Sequence, residues 1–162
     1  MTKQQIYAFM REAGLALTVY AHEPVYTMEQ AEALGFAALP VKNLFLTDRR
    51  RSLWALLVLR GDVSPDLRAT GRALGYTPLS LGSPERLGEL LHTQPGAVSP
   101  LCIVDAPEEV ELWIDDGLNL DAEAAYHPGV NDETVVLRTR DLLRELERRG
   151  RRIRYVRLAE RP

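Results

Sequence analysis

The hydrophobic positions alternate between helical and strand spacing along the whole chain. Ile6, Phe9, Met10 and Ala13 recur at helical intervals behind Thr2-Lys3-Gln4-Gln5, which has capping-box spacing, and Gly14 closes the segment. Residues 15–21 read as a strand. His22-Glu23-Pro24 reads as a turn, because proline disfavours helix at the residue before it. Thr27-Met28-Glu29-Gln30 is a second capping box, opening a short helix through Ala31 and Leu34 that Gly35 stops. Residues 39–47 and 52–59 predict two strands, and the polar link Asp48-Arg49-Arg50-Arg51 suits an antiparallel hairpin. Within the first of these, Leu44-Phe45-Leu46 is a continuous apolar run, as in a strand covered on both faces.

Ser64-Pro65-Asp66 and Ser83-Pro84-Glu85 each set a capping serine before a proline at the first helical position. The first predicts a helix through Leu67 and Leu74 to Gly75; the second predicts one with Leu87, Leu90 and Leu91 on a single face. Residues 94–100 predict a loop, and 101–104 and 110–114 strands that turn through Asp105-Ala106-Pro107-Glu108. Residues 121–126 predict a helical turn, 127–132 an irregular segment and 134–137 a strand. Thr139 is expected to cap a helix bearing Leu142, Leu143 and Leu146, closed by Gly150, before a last strand over 153–158. Mixed elements with short hairpin links favour an α+β fold: one domain over residues 1–162, with a mixed, largely antiparallel, barrel-like sheet core and surrounding helices.

Length agrees with this reading. A domain of 162 residues buries enough surface to need no staples. The lone cysteine, Cys102, excludes an internal disulfide framework, and no Cys/His cluster has zinc spacing. The N-terminus leads into an amphipathic helix, unlike a signal peptide, and no apolar run approaches a membrane span. A cytoplasmic location is the simplest expectation. The net charge of −3 hides an asymmetry. Residues 138–162 hold ten arginines against four acids, leaving the remainder at −9. A basic end on an acidic body fits a polyanion partner or, equally, a solvated arginine-rich surface.

Candidate chemistry concentrates in three places. Lys42 and Asn43 precede the apolar run of their strand; the lysine either snorkels to water or serves as an anion or carbonyl ligand at a pocket mouth. Gly96-Ala97-Val98-Ser99 could offer backbone N–H groups to an oxyanion, or be an ordinary turn. His127 and Asn131 share the third segment. His22 and His92 are isolated and read as structural or surface residues. Gly-x-Ser-x-Gly, His-Glu-x-x-His and a Walker-type phosphate loop are all absent from the sequence. Cys102 lies in an apolar stretch, where a thiol packs as a small hydrophobe.

Taken in order, His22-Glu23-Pro24-Val25-Tyr26-Thr27-Met28-Glu29-Gln30-Ala31, Lys42-Asn43-Leu44-Phe45-Leu46, Gly96-Ala97-Val98-Ser99-Pro100, and His127-Pro128 with Asn131 and Thr134-Val135 resemble the YbaK/ProX superfamily. The nearest branch is the freestanding alanyl-tRNA(Pro) deacylases. The resemblance runs from about Gln4 to about Leu146 and implies hydrolysis of a wrong amino acid from the tRNA 3′ end, without a cofactor or metal. It assigns Lys42 to the terminal phosphate or ester carbonyl and Asn43 to the amine or ribose. It assigns His127 to placing water or the ribose hydroxyl. Gly96, Ala97, Val98, Ser99 and Asn131 would bind substrate, and Arg148, Arg149, Arg151 and Arg152 are available to the tRNA body. Mischarged tRNA(Pro) is the implied partner, with prolyl-tRNA synthetase as a candidate and no membrane or DNA partner. Three other readings stay open: a non-catalytic aminoacyl-tRNA or amino-acid binding module, a structural partner of the synthetase, and a deacylase of serine or cysteine esters.

Overall fold

The computed structural model describes residues 1–162, apart from the side chain of Met28. The chain begins with α1 (Lys3–Glu12), β1 (Leu17–Ala21) and α2 (Met28–Ala33). A hairpin of β2 (Val41–Asp48) and β3 (Trp54–Arg60) follows, then α3 (Leu67–Ala73), β4 (Leu79–Leu81) and α4 (Pro84–Leu91). A 3-10 helix (Pro100–Ile103) leads to β5 (Val110–Asp115), β6 (Glu123–Tyr126) and β7 (Glu133–Arg138). The last elements are α5 (Thr139–Arg148) and β8 (Ile153–Val156).

Two sheets result. One has the order β1-β7-β6 and is antiparallel; the other has the order β4-β2-β3-β5-β8. In the larger sheet β2 pairs antiparallel with β3 and β4, while β3–β5 and β5–β8 are parallel. Each parallel pair requires a long crossover, and these crossovers carry most of the helices. The α+β, largely antiparallel character expected from the hairpins is present, and the barrel-like core takes the form of two sheets meeting at one corner.

The central strand shows why the run of apolar residues is continuous. Leu56 and Val58 of β3 face a core shared with α1, α4, α5 and the smaller sheet; Ala55, Leu57 and Leu59 face a second core with Leu67, Leu74 and Tyr76. Both faces are covered, so no position can be polar. At the end of β3, Arg60 donates to the buried Asp115 carboxylate through Nε at 2.7 Å, and the backbone N–H groups of Arg60 (3.1 Å) and Gly117 (2.9 Å) donate to it as well. Burial pushes the Asp115 carboxyl up, but the Arg60 guanidinium and these N–H groups outweigh it and hold it below the usual carboxylate range.

Several local expectations change. Residues 101–104 form no strand: Ser99 caps a 3-10 turn, its hydroxyl accepting from Leu101 N–H at 3.2 Å, and Pro100 supplies a helical φ. This is the same serine–proline start signal that opens α4 at Ser83. Residues 121–126 form no helical turn. Ala124 and Tyr126 alternate inward at period two as β6. The cap of α3 is Asp66, which accepts from Ala69 N–H at 3.0 Å, and not Ser64. Ser64 and Pro65 pair instead with the C-terminal segment. Thr139 is the first residue of α5 and not its cap; its hydroxyl is buried against Tyr126 Oη at 2.7 Å. The second capping box forms by half, since Gln30 Oε1 accepts from Tyr26 N–H and not from Thr27. The short edge strand β4 has no counterpart in the sequence reading.

Candidate active site

The two sheets meet where Leu39 N–H donates to Glu123 C=O at 2.8 Å, a single parallel bridge between Leu39 and Ala124. Beyond this point they part, and a cavity of about 390 Å³ opens. Its walls are the leading end of β2, the segment Val25-Tyr26-Thr27, α2 with Phe36, the loop residues Gly96 and Val98, and Ala125, His127 and Thr134 of the smaller sheet.

Lys42 and Asn43 both reach this cavity, although successive residues of a strand point to opposite faces. Lys42 turns to the α3 side and donates from Nζ to the Val63 carbonyl at 2.9 Å. It has no carboxylate within ion-pair distance among the described residues, whereas Lys3 is neutralised by Glu133 at 2.9 Å. A fixed ammonium without a counter-charge suits an anionic or carbonyl ligand. Asn43 shares a face with Val41 and Phe45. Its Oδ1 is enclosed and has no hydrogen-bond partner. Buried acceptors are normally satisfied, so this orphan, in a residue that lines the cavity, is a point of unmet hydrogen bonding at the wall.

Across the cavity, His127 Nδ1 donates to the Glu133 carbonyl at 3.0 Å, which fixes the tautomer and leaves Nε2 as an acceptor. Burial pushes the His127 ring below its ordinary value, so it is neutral at pH 7. His22, expected to be an isolated residue, lies 6.3 Å from it, ring centre to ring centre. Its Nδ1 donates to the Glu23 carbonyl at 2.7 Å, and its Nε2 is hydrogen-bonded to the Thr134 hydroxyl, also at 2.7 Å. Phe36 and Glu32 line the cavity and carry no motif in the sequence; only the approach of α2 to β2 identifies them, while Thr134, from the block Thr134-Val135, joins them from β7.

The glycine loop divides. Gly96, at φ +89°, brings backbone to the cavity wall, and a Cβ there would stand 3.4 Å from the Val25 carbonyl. Val98 lines the cavity beside it. Ala97 is fully buried behind the wall, with its N–H committed to the Gln94 carbonyl at 3.0 Å. Ser99 is buried as well and donates from Oγ to the His127 carbonyl at 2.6 Å, tying the loop to the histidine segment. Asn131 also lies outside the lining. It pins Val25 twice, accepting from Val25 N–H at 3.0 Å and donating from Nδ2 to the Val25 carbonyl at 3.3 Å. These three hold the walls in place.

The arginine group is elsewhere. Strand register sets Ile153 level with Leu112 and Leu56, three residues from Leu59 beside Lys42, and Arg148, Arg149, Arg151 and Arg152 lie beyond that level at the far end and far edge of the sheet. Arg148 and Arg149 bind Glu145 at 2.6 and 3.0 Å, and Arg149 also covers the Phe9 ring. Arg151 donates to the carbonyls of Ala106 and Pro107. Arg152 is exposed.

A cavity with an orphan amide, a neutral histidine and an unneutralised lysine, and with no serine or cysteine among its described lining residues, matches ester hydrolysis by positioned water. The family profile described as Aminoacyl-tRNA editing domain matches residues 22–145. The chain belongs to this family. A "Prolyl-tRNA editing protein ProX" from Acetoanaerobium sticklandii is 35% identical over 159 residues, covering 96% of this chain and 97% of that protein. Two crystal structures share the fold. Hypothetical protein APE2540 gives a TM-score of 0.73 at 20% identity, covering 96% of this chain and 99% of its own. A proposed trans-editing enzyme for prolyl-tRNA synthetase gives 0.67 at 23%, covering 96% of each chain. As an aminoacyl-tRNA editing domain, the protein is an aminoacyl-tRNA deacylase, an ester hydrolase acting in translation fidelity. No helix among the described residues is long and apolar enough to cross a membrane.

Cys102 is not among the residues that line the cavity. Burial pushes its thiol up, away from the reactive thiolate, and it packs in the core behind Ala97. Cys102→Ala is expected to leave single-turnover deacylation within a few-fold of wild type, roughly what a small packing change allows. A folded variant without activity would make the thiol the nucleophile.

Proposed function

We propose that this chain hydrolyses alanyl-tRNA(Pro), the ester that prolyl-tRNA synthetase produces when alanine takes the place of proline. The observation that carries the reading is the unmet Oδ1 of Asn43, just behind the surface of a cavity that Asn43 and the neutral His127 both line. A turn of the Asn43 amide toward the cavity lets the α-ammonium of the aminoacyl group supply the donor that Asn43 lacks. Lys42 meets the terminal phosphate or the ester carbonyl, and backbone at Gly96 and Val98 sits beside the carbonyl oxygen. His127 Nε2 accepts a proton from the attacking water or from the ribose hydroxyl next to the ester. The water oxygen bonds to the carbonyl carbon, the ribose oxygen leaves and takes up a proton, and free alanine and tRNA result. A synthetase pocket rejects a smaller side chain poorly, which makes a second, size-limited site useful. Arg148, Arg149, Arg151 and Arg152 would add electrostatic affinity for the tRNA body, away from the reacting ester. Prolyl-tRNA synthetase is the proposed partner in delivery.

Initial rates on four esters of tRNA(Pro) test this. Alanyl-tRNA(Pro) is expected to be hydrolysed fastest, the seryl ester more slowly, and the prolyl ester spared. Equal rates on the alanyl and prolyl esters would remove the editing role. Preference for the cysteinyl ester would move the protein to a sister branch.

A further inference from the structure

One large aromatic side chain stands exposed where the substrate enters. Tyr26 lines the cavity mouth and is 68% exposed. Among the described residues its ring has no stacking partner and its hydroxyl no hydrogen bond. Phe36, on the same cavity, is different: Tyr20 covers it at 4.5 Å and His22 approaches at 6.0 Å, so it is a wall. The backbone under Tyr26 is held on every side. Its N–H donates to Gln30 Oε1 at 2.7 Å, Asn131 grips Val25 before it, and Thr27 after it caps α2 through Gln30 N–H at 3.1 Å. Gly96 lies close beneath, where a Cβ would come within 3.7 Å of Tyr26 Cα. The fold thus positions an aromatic ring and leaves it in water, against the usual tendency to bury such area.

We infer that Tyr26 is the stacking platform for the terminal base of the tRNA, holding the last nucleotide while its aminoacyl ester enters the cavity. The inference rests on the substrate being an aminoacyl-tRNA, and not on which amino acid it carries. Every base has a π-face, so a fixed aromatic ring serves the purpose without base-edge contacts. A pre-positioned ring also loses little conformational freedom on binding.

The test uses acceptor-stem microhelices ending in a non-hydrolysable 3′-amide of alanine, with a terminal nucleotide that either carries its base or keeps only its ribose. With the base present, Tyr26→Ala is expected to raise Kd by about 5- to 150-fold, the range of base–aromatic stacking. Tyr26→Phe should stay within about two-fold of wild type, because the π-face is kept. With the base absent, wild type should already bind weakly and Tyr26→Ala should add almost nothing. An equal loss on both microhelices, no loss on either, or no binding by wild type overturns the inference. Repeating the measurement with a prolyl amide separates the two proposals: the Tyr26 effect persists there even if alanine is the wrong amino acid.

Discussion

Replacing Lys42 with methionine is expected to slow single-turnover deacylation by roughly 30- to 1,000-fold, the loss typical of removing a donor to a developing oxyanion. Methionine keeps the length of the stem and removes the ammonium. The lost group is a cation without a carboxylate partner at the edge of a half-enclosed site, where its charge is poorly screened. The same change also strips the Val63 carbonyl of its donor. Stability should therefore fall by about 1 kcal/mol, the net worth of one hydrogen bond, or about 2–4 °C in Tm for a chain of this size. The two effects differ enough to be read separately when rate is measured well below the melting range. Lys42→Arg retains the charge but not the shape, and partial recovery is expected. A near-normal rate for Lys42→Met would reduce Lys42 to a structural clamp on Val63.

Asp115→Ala carries the largest expected loss of stability. The Asp115 side chain is 0% exposed and Arg60 is 35% exposed, so the pair is buried on one side and wet on the other. Breaking a buried pair costs 3–5 kcal/mol, and the solvent around Arg60 argues for the lower end, about 3 kcal/mol. That corresponds to a fall of roughly 6–12 °C in Tm. The pH dependence has a definite sign. A carboxyl held below its ordinary range stabilises the fold above its unfolded value, near pH 4, and loses that contribution as pH falls through the folded value. Urea unfolding at pH 7 and pH 3 should show the gap between wild type and Asp115→Asn closing in acid. A gap that stays constant would assign the effect to packing.

Much of this architecture is legible in the sequence because local rules and tertiary contacts agree. Ile6, Phe9 and Met10 are buried on α1 as their spacing requires, and the apolar runs of β2 and β3 sit between two cores. The misread segments are those where a signal has two uses. Ser-Pro opens a helix at residue 83, a 3-10 turn at 99 and no helix at 64, because the last site is claimed by the C-terminal segment. Residues 121–126 are too short for periodicity to separate turn from strand, and β7 decides the matter by pairing with them. At the site, Lys42, Asn43, Gly96, Val98 and His127 come together from distant parts of the chain. Ala97, Ser99 and Asn131 sit one layer behind, since sequence adjacency does not say which way a loop residue turns. Thr134 and Tyr26 stand in blocks that carry the family resemblance, but no role follows for them until β7 and the segment before α2 bring them to the cavity.

The match to the editing family ends at residue 145, but the folding unit does not. Val156 and Leu158 are nearly inaccessible, and Arg154 lies over the rings of Tyr76 and Trp113. Asp66 N–H donates to the Ala159 carbonyl at 2.7 Å, Ala159 N–H to the Thr70 hydroxyl at 3.0 Å, and Arg161 N–H to the Ser64 carbonyl at 2.9 Å. A fragment cut where the family match stops would expose β5 as a bare sheet edge and unlatch the start of α3, inviting strand pairing between copies. Family profile and packing thus draw different borders on this chain: the last seventeen residues, 146–162, lie beyond the profile, yet they pack into the fold, and the alignment with the 35% identical relative, at 96% of the chain, reaches into them.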